Sequence, residues 1–502
     1  MGVVGSGTMG RGIVQLFAVA GHEVVCFDVL ANAAQAGVEQ VLTLLRRGVE
    51  KGRMSAADLQ SVAGRIRIAG ALAECAACDV VIEAVIEDLG VKVELFRQLE
   101  SLVTDQAILA TNTSSLSVSA IAAGCRRPER VAGLHFFNPV PLMKIAEIIP
   151  GLRTAPAVTE TLRALIAATG HRAVVAADQP GFLVNHAGRG LYTEGLRVLE
   201  ERVADVADID GLLRDAAGFR MGPFELLDLT GLDVSCKVME SIYEQFYQEP
   251  RFRPSPLVRP RVAAGLFGRK TQRGWYAYDC AADARTPERG AAALDHGAVA
   301  PGLRVWIDPA ADERPAMAPL IAAVGGEISA NPADADLILV QFWGEDATGY
   351  CRAQGLDARR CVAVDPLPGL RCRRTLMQTA ATSREARDAA RVVFESDGVG
   401  CTIINDSLGF VVQRVLATIV NIAADLAQRG IADVADIEAA VTLGLGYPHG
   451  PLSWGDQIGA HRILMILDKL LAASGDTRYR ASPWLRRRAA LGLSLLSPEP
   501  ER

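Results

Sequence analysis

Short apolar runs alternate with longer stretches of mixed apolar and polar residues over the first 177 positions of the chain. The short runs are rich in β-branched residues and are typical of buried strands, whereas the longer stretches have helical composition. This alternation predicts a doubly wound, parallel α/β sheet of the Rossmann type. The clearest predicted strands are Glu23 to Asp28, Asp79 to Ala84 and Ala107 to Ala110, and the predicted helices are Arg11 to Ala20, Ala31 to Lys51 and about Val91 to Leu102.

The pattern changes twice further along the chain. Strand signals are missing from Asp178 to about residue 280, where helical composition predicts an all-α domain. Strand-like runs return in residues 301–404, but no glycine-rich turn follows any of them, so we expect a degenerate Rossmann-like domain there. The predicted domains are 1–177, 178–280, 301–404 and 405–498, with the polar, aperiodic stretch 281–300 as a linker.

The chain also contains an internal repeat. The sequence DQPGFLVN at 178–185 recurs as DSLGFVVQ at 406–413, displaced by 228 residues. The same displacement carries ADVADID at 204–210 onto ADVADIE at 432–438. Both pairs of segments share one displacement without gaps, which indicates a duplicated structural unit. We therefore expect residues 405–498 to form a second copy of the all-α domain.

Composition narrows the classes of function. Half of the residues are hydrophobic and 22% are charged, and the net charge is −6. This balance gives no electrostatic reason to expect nucleic acid or an anionic membrane as a partner. No apolar run reaches the roughly 18–20 residues that span a bilayer, and the first residues lack the features of a signal peptide. We therefore expect a cytoplasmic protein.

Ten cysteines in 502 residues do not make a disulfide scaffold. The pair Cys75 and Cys78 forms a CxxC sequence, but no second pair of ligands follows at a spacing that suits zinc. We expect both thiols to be buried as small hydrophobic groups, and we expect no metal site.

A glycine turn precedes the first predicted helix. Gly5, Gly7 and Gly10 form the pattern GxGxxG, and Asp28 closes the second strand. Glycines let the backbone approach a pyrophosphate, while the helix N-terminus offers unpaired N–H donors. The Asp28 carboxylate can bind the adenine ribose and repels a 2′-phosphate, so NAD is favoured over NADP. Because only four residues precede Gly5, we also expect the natural start to lie slightly upstream.

One of seven histidines, His135, lies in the apolar sequence LHFFNP, and Glu147 follows twelve positions later. A hydroxyl group that gives up hydride must also lose its proton, and histidine is the natural base for this step. A carboxylate on the other ring nitrogen would fix the tautomer and stabilise the imidazolium. The alternative is a core histidine bonded to a backbone carbonyl, and sequence spacing alone does not decide between them.

These residues resemble the 3-hydroxyacyl-CoA dehydrogenase family. The resemblance covers residues 1–280 continuously and the helical part again at 405–490. The whole arrangement is similar to longer bacterial members of aromatic-acid catabolism, of which phenylacetate breakdown with 3-hydroxyadipyl-CoA is the best-known case. The sequences that carry the resemblance are GSGTMG at 5–10, NTSS at 112–115, LHFFNPV at 134–140 and PGFLVN at 180–185.

The resemblance implies reversible NAD-dependent oxidation of (S)-3-hydroxyacyl-CoA to 3-oxoacyl-CoA. It implies that His135 is the catalytic base with Glu147 as its partner, and that Ser114 and Asn185 contact the substrate. Lys51 matches a lysine that receives CoA, although a solvated helix face explains this residue equally well. The implied cofactor-binding residues are Gly5, Gly7, Thr8, Met9, Gly10, Asp28, Glu87, Lys92, Asn138 and Lys270.

The second half of the chain departs from the family pattern. Gln413 stands where the first copy has Asn185, and residues 301–400 contain neither a glycine fingerprint nor a histidine. We therefore predict one active site per chain. We also expect the two helical copies to pack together within the chain as a pseudo-twofold pair. This pairing is compatible with a homo-oligomer of whole chains.

Two questions stay open at this level. The acyl chain of the substrate is either short, as in 3-hydroxybutyryl-CoA, or dicarboxylic, as in 3-hydroxyadipyl-CoA. The competing function is a non-catalytic NAD-binding scaffold, for which loss of His135, Glu147 or Asn185 would be expected. All three residues are present.

Overall fold

The computed structural model describes residues 1–30, 32–278 and 302–500. These residues divide into two compact units. The first unit is Met1–His186 with Arg429–Leu445, and the second is Ala187–Gln428 with Gly446–Arg502. The predicted linker at 281–300 lies outside the described residues. None of the described helices is long and apolar enough to cross a membrane.

The strands fall into two groups along the chain. The first group is β1 (Gly2–Val4), β2 (Val24–Phe27), β3 (Ile66–Ile68), β4 (Val80–Glu83), β5 (Ile108–Thr111), β6 (Val131–Phe136), β7 (Ile145–Pro150) and β8 (Arg172–Val175). The second group is β9 (Arg304–Ile307), β10 (Glu327–Ile328), β11 (Leu337–Val340), β12 (Cys361–Val364), β13 (Arg374–Gln378) and β14 (Cys401–Ile404).

The described α-helices also fall into two groups along the chain. Those up to the described boundary at residue 278 are α1 (Thr8–Val19), α2 (Ala33–Glu50), α3 (Ala56–Gly64), α4 (Leu89–Leu102), α5 (Val118–Ala122), α6 (Pro156–Ala168), α7 (Val184–Ala187), α8 (Arg189–Glu200), α9 (Val206–Asp215), α10 (Pro223–Thr230), α11 (Leu232–Gln245) and α12 (Val258–Ala263). Those after residue 302 are α13 (Arg314–Ala323), α14 (Ala347–Gln354), α15 (Arg384–Glu395), α16 (Val411–Gln428), α17 (Val434–Ala439), α18 (Pro451–Ile458), α19 (Ala460–Ser474) and α20 (Pro483–Leu491), with a π-helix at Ala440–Gly444.

The first unit is built on a sheet with the strand order β3-β2-β1-β4-β5-β6-β7-β8. The strands from β1 to β6 are parallel, as the alternating pattern predicts. The sheet departs from the predicted parallel arrangement at one edge, where β7 pairs with β6 in antiparallel orientation. A short connection joins β6 to β7, and a connection of that length permits a hairpin but no helical crossover.

Apolar side chains cover both faces of this sheet. Ile13 and Phe17 of α1 and Leu162 of α6 belong to the core on one face. Phe96 and Leu99 of α4 belong to the core on the other. A sheet that is buried on both faces needs strands that are apolar throughout, which explains why the strands are visible in the sequence as short continuous runs.

The second unit contains a smaller sheet with the strand order β10-β9-β11-β12-β13-β14. Its strands are parallel except between β12 and β13, which are antiparallel. Both sheets therefore end in two strands that run against the others. The strands Arg304–Ile307, Leu337–Val340 and Cys361–Val364 lie within residues 301–404, where strand-like runs are predicted.

Helices α8 and α16 pack closely in the second unit. A Cβ atom at Gly190 of α8 would lie 3.0 Å from Ile419 of α16, so the glycine allows the two backbones to approach. The buried guanidinium of Arg414 on α16 is bonded to the carboxylates of Glu194 and Glu201, at 2.7 Å each. Removing one partner of such a buried charge cluster is costly, so this contact fixes the pairing of the two helices.

Asp365 is a buried carboxyl group that directly follows β12. One oxygen, Oδ1, accepts hydrogen bonds from the backbone N–H of Leu367 and from Nε2 of Gln413. The other oxygen has no partner within the described residues. Burial raises the pKa of Asp365 to about 7, and the two hydrogen bonds offset only part of that effect.

Because of this shift, Asp365 should make the stability of the protein depend on pH. An unfolded aspartate titrates near pH ~3.9. The stability that the neutral carboxyl contributes is therefore full below that pH and is lost as the pH rises toward about 7. Asp365→Asn keeps an acceptor oxygen and cannot ionise. We expect the melting temperature of this variant, relative to the wild type, to rise between pH 5 and pH 8. A difference that is the same at both pH values would contradict the prediction.

Candidate active site

The glycine turn lies between β1 and α1. Gly5 has φ +98°, and a Cβ atom there would lie 2.4 Å from the carbonyl oxygen of Ala84. A Cβ atom at Gly10 would overlap the carbonyl oxygen of Gly5. Among the described residues, nothing lies within 4 Å of a Cβ atom placed at Gly7, and no side chain caps the first turn of α1. The turn therefore leaves open space beside helix N–H groups that no described side chain caps, which fits a pyrophosphate.

Asp28 lies beside this turn at the end of β2. Its carboxylate accepts hydrogen bonds from the backbone N–H and hydroxyl of Ser6 and from the backbone N–H of Leu30. Burial alone raises the pKa of Asp28, but the hydrogen bonds from Leu30 and Ser6 lower it below its ordinary value overall. The charged, half-buried carboxylate beside the glycine turn suits the ribose contact implied for it.

The NTSS turn follows β5 and is held by Glu87. One oxygen of that carboxylate accepts hydrogen bonds from the Thr113 hydroxyl at 2.7 Å and from the backbone N–H of Ser114 at 2.9 Å and Ser115 at 3.0 Å. Burial tends to raise the pKa of Glu87, but the Lys92 charge and these hydrogen bonds lower it overall. Glu87 thus fixes the position of Ser114.

Lys92 is buried in an ion cluster. Its Nζ lies 2.6 Å from Glu83 Oε1 and 3.2 Å from Glu87 Oε2. Glu83 is the last residue of β4 and also accepts a hydrogen bond from the Thr111 hydroxyl. Glu83 was not among the predicted site residues, although an acid within the apolar run DVVIEA is a signal of a buried partner.

His135 and Glu147 lie directly opposite each other in the antiparallel register of β6 and β7. The Nδ1 atom of His135 is 2.5 Å from Oε2 of Glu147, and both side chains are buried. Opposed residues in an antiparallel pair have side chains that point to the same face and come close together. The structure therefore brings the two residues together. The partner of His135 Nδ1 is the Glu147 carboxylate and not a backbone carbonyl, which was the alternative.

The second oxygen of Glu147 is held from the other side. It accepts hydrogen bonds from the backbone N–H groups of Leu183 at 3.0 Å and Val184 at 2.7 Å. The turn before these residues is left-handed at Gly181 and at Phe182, with φ +75° and +47°. This backbone shape, uncommon for phenylalanine, turns the two N–H groups toward the carboxylate. Both donors complement its negative charge.

The remaining predicted residues lie in varied surroundings. Asn185 is half-buried in α7, next to the residues that bond Glu147, and Asn138 is exposed beyond β6. Lys51 is exposed at the end of α2. Lys270 belongs to the second unit, where its ammonium group pairs with the carboxylate of Asp233.

Asn112 is a further residue to which the sequence assigned no role of its own. Its side-chain oxygen accepts a hydrogen bond from the backbone N–H of Phe136 at 2.8 Å. The contact ties the NTSS turn to the end of β6, next to His135. Its position at the start of NTSS, one residue after the end of β5, was the available signal.

The cysteines of the CxxC pair, Cys75 and Cys78, are both buried and unbridged, as predicted. Across the described ranges, no group of three or more His, Cys, Asp or Glu side chains is arranged to hold a metal ion.

Two family models match most of the chain. The model described as 3-hydroxyacyl-CoA dehydrogenase, NAD binding domain, matches residues 1–179. The model described as 3-hydroxyacyl-CoA dehydrogenase, C-terminal domain, matches residues 181–278 and again 409–494.

Individual relatives agree with these models. The 3-hydroxyadipyl-CoA dehydrogenase of Escherichia coli is 38% identical over 489 residues, which cover 97% of each chain. A crystal structure of 3-hydroxybutyryl-CoA dehydrogenase from Escherichia coli matches with a TM-score of 0.84 at 36% identity, covering 98% of each chain. The probable 3-hydroxybutyryl-CoA dehydrogenase of Bacillus subtilis is 39% identical and covers 55% of this chain and 96% of its own.

The sheet, the glycine turn and the matched domain define an oxidoreductase that uses a nicotinamide dinucleotide. More narrowly, the chain belongs to the 3-hydroxyacyl-CoA dehydrogenase family. Its activity is the NAD-dependent interconversion of 3-hydroxyacyl-CoA and 3-oxoacyl-CoA.

The buried ion cluster yields a prediction about stability. Lys92→Met preserves the length of the side chain but leaves the buried Glu83 carboxylate without its cation. Breaking a buried pair in this way costs about 3–5 kcal/mol, so we expect a large fall in the free energy of unfolding in urea. The matched control is Lys51→Met at an exposed lysine, for which a change within about 0.5 kcal/mol is expected. Equal stability of the two variants would contradict the role of the cluster.

Proposed function

We propose that His135 is the general base of the oxidation and that Glu147 orients it. The observation that carries this proposal is the 2.5 Å contact between His135 Nδ1 and Glu147 Oε2. With Nδ1 bonded to the carboxylate, Nε2 is the ring nitrogen left to accept the proton of the substrate hydroxyl. The Glu147 charge, held by two backbone donors, stabilises the imidazolium that forms.

NAD, when bound, supplies the acceptor for the hydride that leaves the hydroxyl-bearing carbon. The cofactor-binding residues proposed for this chain are those of the glycine turn together with Asp28, Glu87, Lys92, Asn138 and Lys270. Ser114 and Asn185 contact the substrate in this proposal, and Lys51 contacts its CoA portion. The hydrogen bonds of Glu87 to the NTSS turn support a fixed position for Ser114.

The domain division is also part of the proposal: 1–177, 178–280, 301–404 and 405–498, with the third domain as a degenerate copy of the first. Gln413, the counterpart of Asn185, supports the loss of a second site. Its amide donates to Phe342 O and Asp365 Oδ1, and its oxygen accepts from the Gly344 N–H. A side chain that bridges loops in this way is not free for a substrate.

The two helical copies form a pseudo-twofold pair within the chain in our proposal. Phe219 and Tyr447 are 228 residues apart, and their rings touch with centroids 4.9 Å apart. Gly218 faces Pro448, and the counterpart pair is Arg220 and Gly446. Contacts between equivalent residues, and contacts exchanged between equivalent pairs, are what a twofold axis generates.

We propose 3-hydroxyadipyl-CoA as the preferred substrate, in aromatic-acid breakdown such as that of phenylacetate. The support is the match over 97% of both chains to a protein with that name. The competing substrate is 3-hydroxybutyryl-CoA, which appears in the name of a solved structure that matches 98% of both chains. This substrate would place the enzyme in fatty-acid catabolism.

The kinetic test follows reduced nicotinamide with acetoacetyl-CoA and with 3-oxoadipyl-CoA. We expect kcat/KM to be higher for 3-oxoadipyl-CoA, and the opposite ratio would favour the short substrate. In either case His135→Ala should lower kcat by about 10²–10⁴-fold, the usual contribution of a general acid–base residue.

Controls for that test separate chemistry from folding. Glu147→Gln keeps an acceptor for the two backbone donors but removes the charge opposite His135, so a smaller loss than for His135→Ala is expected. His22→Ala, at a histidine before β2, should retain wild-type kinetics. A folded His135→Ala variant with wild-type kcat would contradict the assignment of the base.

The pseudo-twofold pair can be tested by truncation after residue 278. Without α16, the face of α8 that contains Gly190 becomes exposed. We expect the truncated chain to aggregate or to pair with a second copy in size-exclusion chromatography with light scattering. A well-behaved, fully active monomer would refute the proposed pairing.

A further inference from the structure

One segment of the second helical copy folds with the first sheet rather than with its own copy. Residues 429–445 belong to the same compact unit as residues 1–186. Helix α17 packs on β8, and the following π-helix packs on β7, the strand that contains Glu147. We call residues 429–445 the returning segment.

Buried polar contacts hold the returning segment in place. The Asp436 carboxylate is buried and accepts hydrogen bonds from Arg172 at 2.9 Å and from the backbone N–H of Val175 at 2.8 Å. The Ile431 carbonyl accepts a hydrogen bond from the Ala177 N–H at 2.8 Å. Charge-assisted bonds to a buried carboxylate are among the stronger hydrogen bonds in proteins, so the segment is fixed against the edge of the sheet.

The counterpart of this segment makes the equivalent backbone contact in the second unit, and its aspartate pairs with a different arginine. The Val203 carbonyl accepts a hydrogen bond from the Asn405 N–H at 2.9 Å, and both residues lie 228 positions from the first pair. Asp208, the counterpart of Asp436, pairs with Arg373 at 3.1 Å. Each helical copy therefore contributes the same piece of chain to the sheet of the other half.

The returning segment ends against the residue that bonds Glu147. Gly444 closes the π-helix, and a Cβ atom there would lie 3.0 Å and 3.1 Å from the two methyl carbons of Val184. The Val184 N–H donates to Glu147 at 2.7 Å, and Glu147 is paired with His135. A π-helix of this kind is often found at functional sites.

We propose that Gly444, at the end of the returning segment, is a positioning residue for the catalytic pair. Its missing side chain lets Val184 sit where its N–H reaches Glu147, so the second half of the chain completes the active site of the first half. This inference rests on the proposed function, because it assumes that His135 and Glu147 do the chemistry.

The test uses the full-length chain and measures kcat and KM for acetoacetyl-CoA and NADH. Gly444→Val should press on Val184 and lower kcat about tenfold or more, because small displacements around a reacting group are costly. Both KM values should stay within about twofold, and the melting temperature should show a folded protein. Should this variant fail to fold, Gly444→Ala gives a smaller displacement and a smaller loss of kcat.

The matched control is Ala216→Val. Ala216 is 228 residues before Gly444, lies at the equivalent place in the first copy, and lines a cavity of about 470 Å³ in the second unit. The cavity has room for the added methyl groups, and none of the proposed catalytic residues lines it. We expect its kcat to stay within about twofold of wild type.

A double-mutant cycle tests whether the effect of Gly444→Val on kcat acts through Val184. Val184→Ala removes the two methyl groups that Gly444→Val would strike but keeps the backbone N–H. We expect Gly444→Val to cost at least threefold less kcat in the Val184→Ala background than in the wild type. Equal losses in both backgrounds, or an unchanged kcat in Gly444→Val, would overturn the inference. Since His135→Ala is measured in the same assay, an active His135→Ala variant would instead overturn the proposed function.

Discussion

The site depends on the antiparallel register between β6 and β7. That register sets His135 directly opposite Glu147 in a sheet that is otherwise parallel up to β6. A shift by one residue would send one of the two side chains to the other face of the sheet and separate the pair. The hydrogen bonds from Leu183 and Val184 then fix the carboxylate from the opposite side. The pair of His135 and Glu147 is thus held by a strand and a turn at once.

Buried charges in the first unit hold the NTSS turn in place. Lys92 pairs with both Glu83 of β4 and Glu87, and Glu87 accepts hydrogen bonds from N–H and hydroxyl groups of the NTSS turn. Taking charges out of water is expensive unless they are paired and hydrogen-bonded. The turn that contains Ser114 is therefore held by several hydrogen bonds to one oxygen of Glu87.

The C-terminal domain model of the family matches the chain twice, at residues 181–278 and 409–494. The second half lacks the glycine fingerprint and histidine in residues 301–400, and Gln413 bridges loops where the first copy has Asn185. At the same time, α16 packs against α8, and residues 429–445 pack against strands β7 and β8 of the first sheet. Residues from the C-terminal half of the chain therefore take part in the packing of the N-terminal half.

The sequence by itself determined the class of fold, the NAD fingerprint, the repeat and the identity of the candidate base, because strands buried on both faces and glycine turns leave local patterns. Contacts between distant residues leave no such pattern. The contact of His135 with Glu147 follows from strand register, and the contact of Gly444 with Val184 joins positions 260 residues apart. Glu83 did leave a local signal, an acid in an apolar run, but the sequence does not show that Lys92 of the following helix is its cation. Only the tertiary structure brings such partners together.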